Sequence, residues 1–200
     1  MQETANRKDN ADSLYRPSLV YYHPNAKGTG CAIRFQLIPA TARAEGCIMM
    51  NLANQSGVAS SAGGERTFAS FDWNRRLCVK LGFADLCRMM QVFRGECESI
   101  GDGKGLYHHI AGCTTRIVLR HRIEPASGYS IEVYRTRDGE DSHAHILLSS
   151  SEAYGLAQVI DHSLAAVCFG VVSEVERNLS IRRAAATSSP AQEQKINASA

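Results

Sequence analysis

Two halves of the chain repeat one hydrophobic plan: short segments of alternating or continuous apolar residues, then a segment with helical spacing. The first half runs over about 18–93 and ends in Phe83, Leu86, Met90 and Phe93. The second runs over about 106–169 and ends in Leu156, Val159, Ile160, Leu164 and Val167. Spacings of three and four residues predict helices, and period-two alternation predicts strands. Strands are expected near 18–23, 31–39, 46–54, 75–82, 105–111, 114–124, 128–137 and 143–149. The expected class is therefore α+β: two packed four-stranded antiparallel sheets and two helices, a doubled ββββα plan.

Local signals bound these elements. Ser149 followed by Glu152 is a capping box for the second helix, and Gly170 suits its C-terminal cap. The first helix should start after Gly82 and stop at Arg94-Gly95. Pro125 to Gly128 reads as a hairpin turn. The Ser, Gly and Ala-rich stretch from Gln55 to Ser70, with Gly63-Gly64, reads as a flexible loop. Gly101-Asp102-Gly103-Lys104-Gly105 has the glycines of a phosphate loop but neither the following Lys-Ser/Thr nor a helix, so it reads as a turn. Residues 1–16 and 172–200 are polar and aperiodic, and are expected to be disordered tails around one domain at 17–171.

Alternation also sorts the charges by face. The strand after Gly30 points Cys31, Ile33, Phe35 and Leu37 inward and exposes Arg34 and Gln36. Leu77, Val79 and Leu81 point inward, against Arg76, Cys78 and Lys80. Ile117, Leu119 and Ile123 are expected inside, with Arg116, Arg120 and Arg122 outside. Tyr129, Ile131 and Val133 face in; Ser130, Glu132, Tyr134 and Thr136 face out. The outward faces thus gather Arg34, Arg76, Lys80, Arg116, Arg120 and Arg122. Such faces track a phosphate backbone while bases stack on rings, or they are ordinary solvated sheet surfaces.

Bulk charge does not decide between these. The chain is +2 overall, and 17–170 holds 15 Lys or Arg against 14 Asp or Glu. No run approaches the ~18 apolar residues of a membrane span, and the N-terminal sequence lacks the apolar core of a signal peptide. A cytoplasmic, nucleoid-associated protein is expected. The seven cysteines contain no CxxC and read as reduced thiols inside apolar runs. His108-His109 and His143-Ala144-His145 lack an acidic residue placed to complete a ligand set, so no metal is expected. Cys97 lies between Glu96 and Glu98, the wrong surroundings for a reactive thiolate. No hydrolase, zinc-protease or nucleotide-binding motif occurs, so no catalysis and no cofactor are expected.

Several short motifs, in order, resemble the Whirly family of single-stranded DNA-binding proteins. Tyr21-Tyr22 through Lys27-Gly28-Thr29-Gly30-Cys31-Ala32-Ile33 resembles its tyrosine strand and Lys-Gly-Lys-Ala-Ala-Leu stretch, with the second lysine replaced. Phe71-Asp72-Trp73-Asn74-Arg75-Arg76 is similar to its Tyr-Asp-Trp and basic residue. Cys97-Glu98, Ile123-Glu124-Pro125 with Gly128, Ser151-Glu152-Ala153 and Phe169-Gly170 follow at matching places. The resemblance spans about 18–170. It implies single-stranded DNA binding of weak sequence preference, in genome maintenance or transcription, with contacts from Lys27, the six basic residues above and Tyr134. It also implies a homotetramer. The apolar arc of Leu86, Met89, Met90 and Phe93, wide for a helix packed on one side, would supply the interface. RNA binding by the same fold, or a protein-assembly module without nucleic acid, are the alternative expectations.

Overall fold

The computed structural model describes residues 18–61, 66–124 and 127–171. The expected tails, the Gly63-Gly64 stretch and Pro125 lie outside the described residues. The elements are β1 (Ser18–His23), β2 (Cys31–Ile38), β3 (Cys47–Gly57), β4 (Ser70–Phe71), β5 (Leu77–Leu81) and α1 (Phe83–Phe93). The second half follows with β6 (Leu106–Ile110), β7 (Cys113–Arg122), β8 (Gly128–Arg137), β9 (Glu140–Leu148) and α2 (Ser150–Phe169). All pairings are antiparallel.

The first sheet has order β1-β2-β3, with β4 and β5 sharing the far edge of β3; the second is the meander β6-β7-β8-β9. The extra strand β4 is a correction to the expected count of four. β3 runs on to Gly57, so part of the expected loop is sheet, and Ser60 bridges to Thr67. At the β8–β9 turn, Asp138 (φ 52°) and Gly139 (φ 86°) are both left-handed, the geometry that a two-residue hairpin requires. The glycine-rich segment before β6 is a tight turn, Ile100–Gly103, in which Gly101, Asp102 and Gly103 all have positive φ.

One core joins both sheets and both helices. It takes Ile33, Phe35, Met50, Leu52, Val79 and Leu81 from the first sheet, and Ile117, Leu119, Ile131, Val133, Ile146 and Leu148 from the second. Leu86, Met89, Leu156 and Ile160 close it from the helices. Full burial of each such side chain contributes about 1.5–3 kcal/mol. Two polar ties link the sheets at their rim. Asn54 Nδ2 donates to the His143 carbonyl at 3.0 Å. Arg135 donates through Nη2 to the Cys78 carbonyl and through Nε to Thr115 Oγ1.

Caps fix where the helices start. Ser149 Oγ accepts from the Glu152 N–H at 3.3 Å, and the Ser149 N–H donates to Glu152 Oε2 at 2.8 Å. The carboxylate of Asp85 accepts from the Gly82 N–H at 3.1 Å in the same way. Each cap carboxylate also meets a histidine from a strand: Glu152 with His23 at 2.8 Å, Asp85 with His108 at 3.0 Å. Burial would raise the Glu152 carboxyl, but hydrogen bonds from His23 and Ser149 outweigh it and hold it below the usual carboxylate range.

Three expectations need correction. Leu86 and Met89 are fully buried and Met90 nearly so, within this one chain, while Phe93 packs on Tyr129 at 5.3 Å. The part of the arc made by Leu86, Met89 and Met90 is therefore filled by α2 and the two sheets and offers little surface to a second protomer, while Phe93 stays half-buried. Ile123 is 76% exposed, because β7 ends at Arg122; the inward position before it, His121, packs on Tyr129 at 4.8 Å. Of the seven free cysteines, Cys31, Cys47 and Cys113 are buried, while Cys97 and Cys168 are exposed. Burial pushes the Cys31 thiol up to about 11.

Candidate nucleic-acid interface

Register brings the outward residues of the second sheet into one row. Tyr107 on β6 lies opposite Arg116 on β7, Arg116 opposite Tyr134 on β8, and Tyr134 opposite His143 on β9. The Arg116 guanidinium sits 4.4 Å from the Tyr134 ring centroid. The His143 ring stacks on Tyr134 at 4.4 Å and 21°. Planar groups on neighbouring strands thus stand parallel, as the ~4.8 Å strand spacing allows. Tyr134 has a planar neighbour on each adjoining strand, so it stiffens the row. Tyr107, 60% exposed, is the open ring.

Along β7 the other two arginines differ in freedom. Arg120 donates to the Gly103 carbonyl at 3.3 Å, and its backbone bridges to Ser99. The turn at Ile100–Gly103 and Gly105 beside it cover Val118, which is buried although it points outward. Arg122 is exposed at the strand end, and its side chain has no hydrogen bond or ion pair among the described residues. One acid interrupts the basic row. Glu132 accepts from the hydroxyls of Tyr134 and Ser130. Burial would raise its carboxyl; those two hydrogen bonds, with the charges of His145 and Arg120, bring it below the usual range. The same bond to Glu132 raises the Tyr134 phenol.

The outward face of the first sheet carries a second group. Tyr22 on β1 and Phe71 on β4 stand three strand spacings apart, roughly 14 Å, yet their ring centroids approach to 5.5 Å. The rings converge above Ala32 and Ala53, which face each other on β2 and β3 and are fully buried. Their small side chains leave room for that convergence. Trp73 meets Tyr22 edge-on at 6.5 Å, and the Arg34 guanidinium lies 5.0 Å from the Trp73 ring. Arg34 Nε is buried without a hydrogen-bond partner. Arg76 is held by Asn51 Oδ1 at 3.1 Å and by the Trp73 carbonyl at 2.8 Å. Lys80 is exposed farther along β5.

Lys27 lies in the turn between β1 and β2, which Asn25 and Gln55 organise. Asn25 Oδ1 accepts from the N–H groups of Lys27 and Thr29, both at 3.0 Å. Gln55 Oε1 accepts from the N–H groups of Asn25 and Gly30. A Cβ on Gly30 would fall 2.3 Å from the His23 carbonyl oxygen and 2.4 Å from Gln55 Oε1, so this position of the turn admits only glycine. Lys27 itself is exposed.

The expected site residues therefore form two groups: Arg34, Arg76 and Lys80 on one sheet, and Arg116, Arg120, Arg122 and Tyr134 on the other. Sequence reasoning missed Tyr22, Phe71, Tyr107 and His143 as ring partners. Counting register outward from Asp138-Gly139 pairs Tyr134 with His143, and that was the available signal. Among the described residues, no three His, Cys, Asp or Glu side chains converge to hold a metal. No helix among them is long and apolar enough to cross a membrane.

No protein-family model matches the chain, and no curated protein is significantly similar to it in sequence. Solved structures are similar in fold. WHY1 from Arabidopsis thaliana superposes with a TM-score of 0.59 at 13% identity, covering 90% of this chain and 98% of that one. The plant transcriptional regulator PBF-2 gives 0.56 at 14%, covering 89% and 90%. A guide-RNA-binding protein complex bound to a gRNA gives 0.52 at 14%, covering 76% and 91%. With about nine-tenths of its length superposing on each of the two plant proteins, and with two antiparallel sheets and two helices of its own, the chain has the Whirly-like α+β fold.

Proposed function

We propose that the chain is a non-catalytic binder of single-stranded nucleic acid, with DNA as the preferred form and weak sequence preference. One observation carries this reading: the outward face of each sheet sets guanidinium groups against aromatic rings. Arg116 lies over Tyr134, and Arg34 over Trp73. Open rings, Tyr107 and Tyr22, lie beside these pairs. Ring faces accept any base, at about 1–3 kcal/mol per stacked base, and arginine holds phosphates without reading sequence. An acceptor on a bound base would also satisfy Arg34 Nε, whose isolation costs about 1–3 kcal/mol.

The fold's neighbours support the class. One is a plant transcriptional regulator and another a guide-RNA-binding complex bound to a gRNA; the latter favours RNA as the second reading. A role in transcription or genome maintenance belongs to the same proposal. So does a homotetramer, with an interface other than the buried arc of α1. Fluorescence anisotropy with labelled single-stranded DNA, duplex DNA and RNA across a salt series tests the reading. Single-stranded DNA should bind most tightly, with a log–log salt slope of about −0.7 per phosphate contact. Equal or tighter RNA binding moves the preference to RNA. Absence of binding to every strand at low salt refutes the proposal.

A further inference from the structure

The inward faces of β6, β7 and β8 continue past the β5 edge of the first sheet, and a cleft of about 510 Å³ opens there. Arg76, Lys80, Arg135 and Arg137 line it, and no Asp or Glu does. His108 also lines it, but its imidazole is paired with Asp85. Two of the four cations are fixed in the frame. Arg76 is bound to Asn51 and the Trp73 carbonyl, Arg135 to Thr115 and the Cys78 carbonyl. Among the described residues, the side chains of Lys80 and Arg137 form no hydrogen bond or ion pair. Glu140, the cross-strand neighbour of Arg137, makes no ion pair with it and does not line the cleft. Met49, Val79 and Ile110 give the cleft an apolar wall.

We propose that this cleft binds a phosphate monoester carried on a nucleotide, with the terminal phosphate of a nucleic-acid strand as its ligand. The strand form rests on the nucleic-acid reading above. Four cations gathered without a carboxylate repel one another, and an anion of high charge relieves that repulsion. An internal phosphodiester brings one negative charge, whereas a monoester brings about 1.5–2 at pH 7. The volume lies in the range of small-ligand sites, roughly 300–1,000 Å³, and suits a single nucleotide. The apolar wall receives its sugar and base. Arg76 connects the cleft to Trp73 and the ring cluster, so a strand on the first sheet would end here.

The test measures binding of the full chain to one labelled oligothymidylate in three forms: without phosphate, with a 5′-phosphate and with a 3′-phosphate. One phosphorylated form should bind about tenfold more tightly. Arg137→Gln with Lys80→Gln should erase that difference, read within each protein and with melting unchanged. Thymidine monophosphate at millimolar concentration should abolish the preference if the cleft takes free nucleotides as well. A preference that survives this competitor assigns the cleft to strand ends alone. Measurable and equal affinity for all three forms overturns the proposal, as does a preference that persists in the double variant. Binding of the unphosphorylated strand reports separately on the sheet faces. If no strand binds but thymidine monophosphate does, and the double variant loses it, the cleft stands and the sheet-face reading falls.

Discussion

Arg120 and Arg122 give the sharpest test of the second sheet. Both side chains are exposed; among the described residues Arg120 makes one hydrogen bond, to the Gly103 carbonyl, and Arg122 makes none. Replacing both with Ala removes two charges and little packing, so stability should change by no more than about 0.5 kcal/mol. Each phosphate contact on a single strand contributes about 0.7 to the log–log salt slope, and two contribute about 1.4. Relative to 1 M salt, the parent should gain about 1.4 more decades of affinity than the variant at 0.1 M. That is roughly 25-fold, or about 1.9 kcal/mol. The loss should be alike for all sequences, since phosphate contacts carry no base information. Anisotropy with oligothymidylate and a mixed-sequence strand, at five salt concentrations, reads both slope and offset. A variant with the parent's affinity and slope, still folded, would show that this face does not hold phosphates.

The first sheet can be watched through Trp73, the single tryptophan of the chain: its emission should be quenched as oligonucleotide saturates the protein. Unchanged emission at saturation would remove the Tyr22–Phe71–Trp73 cluster from the interface. Met89→Ala, at a fully buried position, should destabilise by about 2–5 kcal/mol in denaturant titration; a negligible loss would contradict the packing of α1. Ser149→Ala should lower stability by about 0.5–2 kcal/mol through the lost cap, and an unchanged midpoint would contradict that cap. Because the folded Glu152 carboxyl lies below its ordinary value of 4.5, its stabilisation is complete above that pH and is lost as pH falls through the folded value. Acid unfolding should therefore flatten in Glu152→Gln, and an unaltered acid limb would show that His23 and Ser149 do not hold this carboxylate.

Local pattern made most of the fold legible. Leu77, Val79 and Leu81 alternate with exposed neighbours, and Ser149 with Glu152 marks the start of α2, because both signals depend only on nearby residues. The short strand β4 escaped for the opposite reason. Ser70 and Phe71 pair with β3, but two residues have no period to read. Its place in the sheet comes from the long partner strand. The width of the α1 arc reflects two packed surfaces, and helical spacing alone does not tell two surfaces within one chain from one inside and one between protomers. Its neighbours α2, β5 and β7 belong to the same chain and bury both.

The site was legible as a list of faces and illegible as a constellation, since each side chain's partner lies on another strand. Alternation shows that Arg116 and Tyr134 both point outward. Only register places one over the other, with His143 on the next strand. The same limit explains the converging rings of the first sheet. Tyr22 and Phe71 meet because Ala32 and Ala53 occupy the strands between them, a condition spread over four strands. It also explains the cleft. Arg135 and Arg137 have the inward parity of β8, which in a sheet covered along its whole length would place them in the core. Past the β5 edge that cover is absent, so inward parity there leads to a basic hollow between the sheets. Parity assigns a side chain to a face, but only the overhang of one sheet beyond the other decides whether that face is core or binding surface.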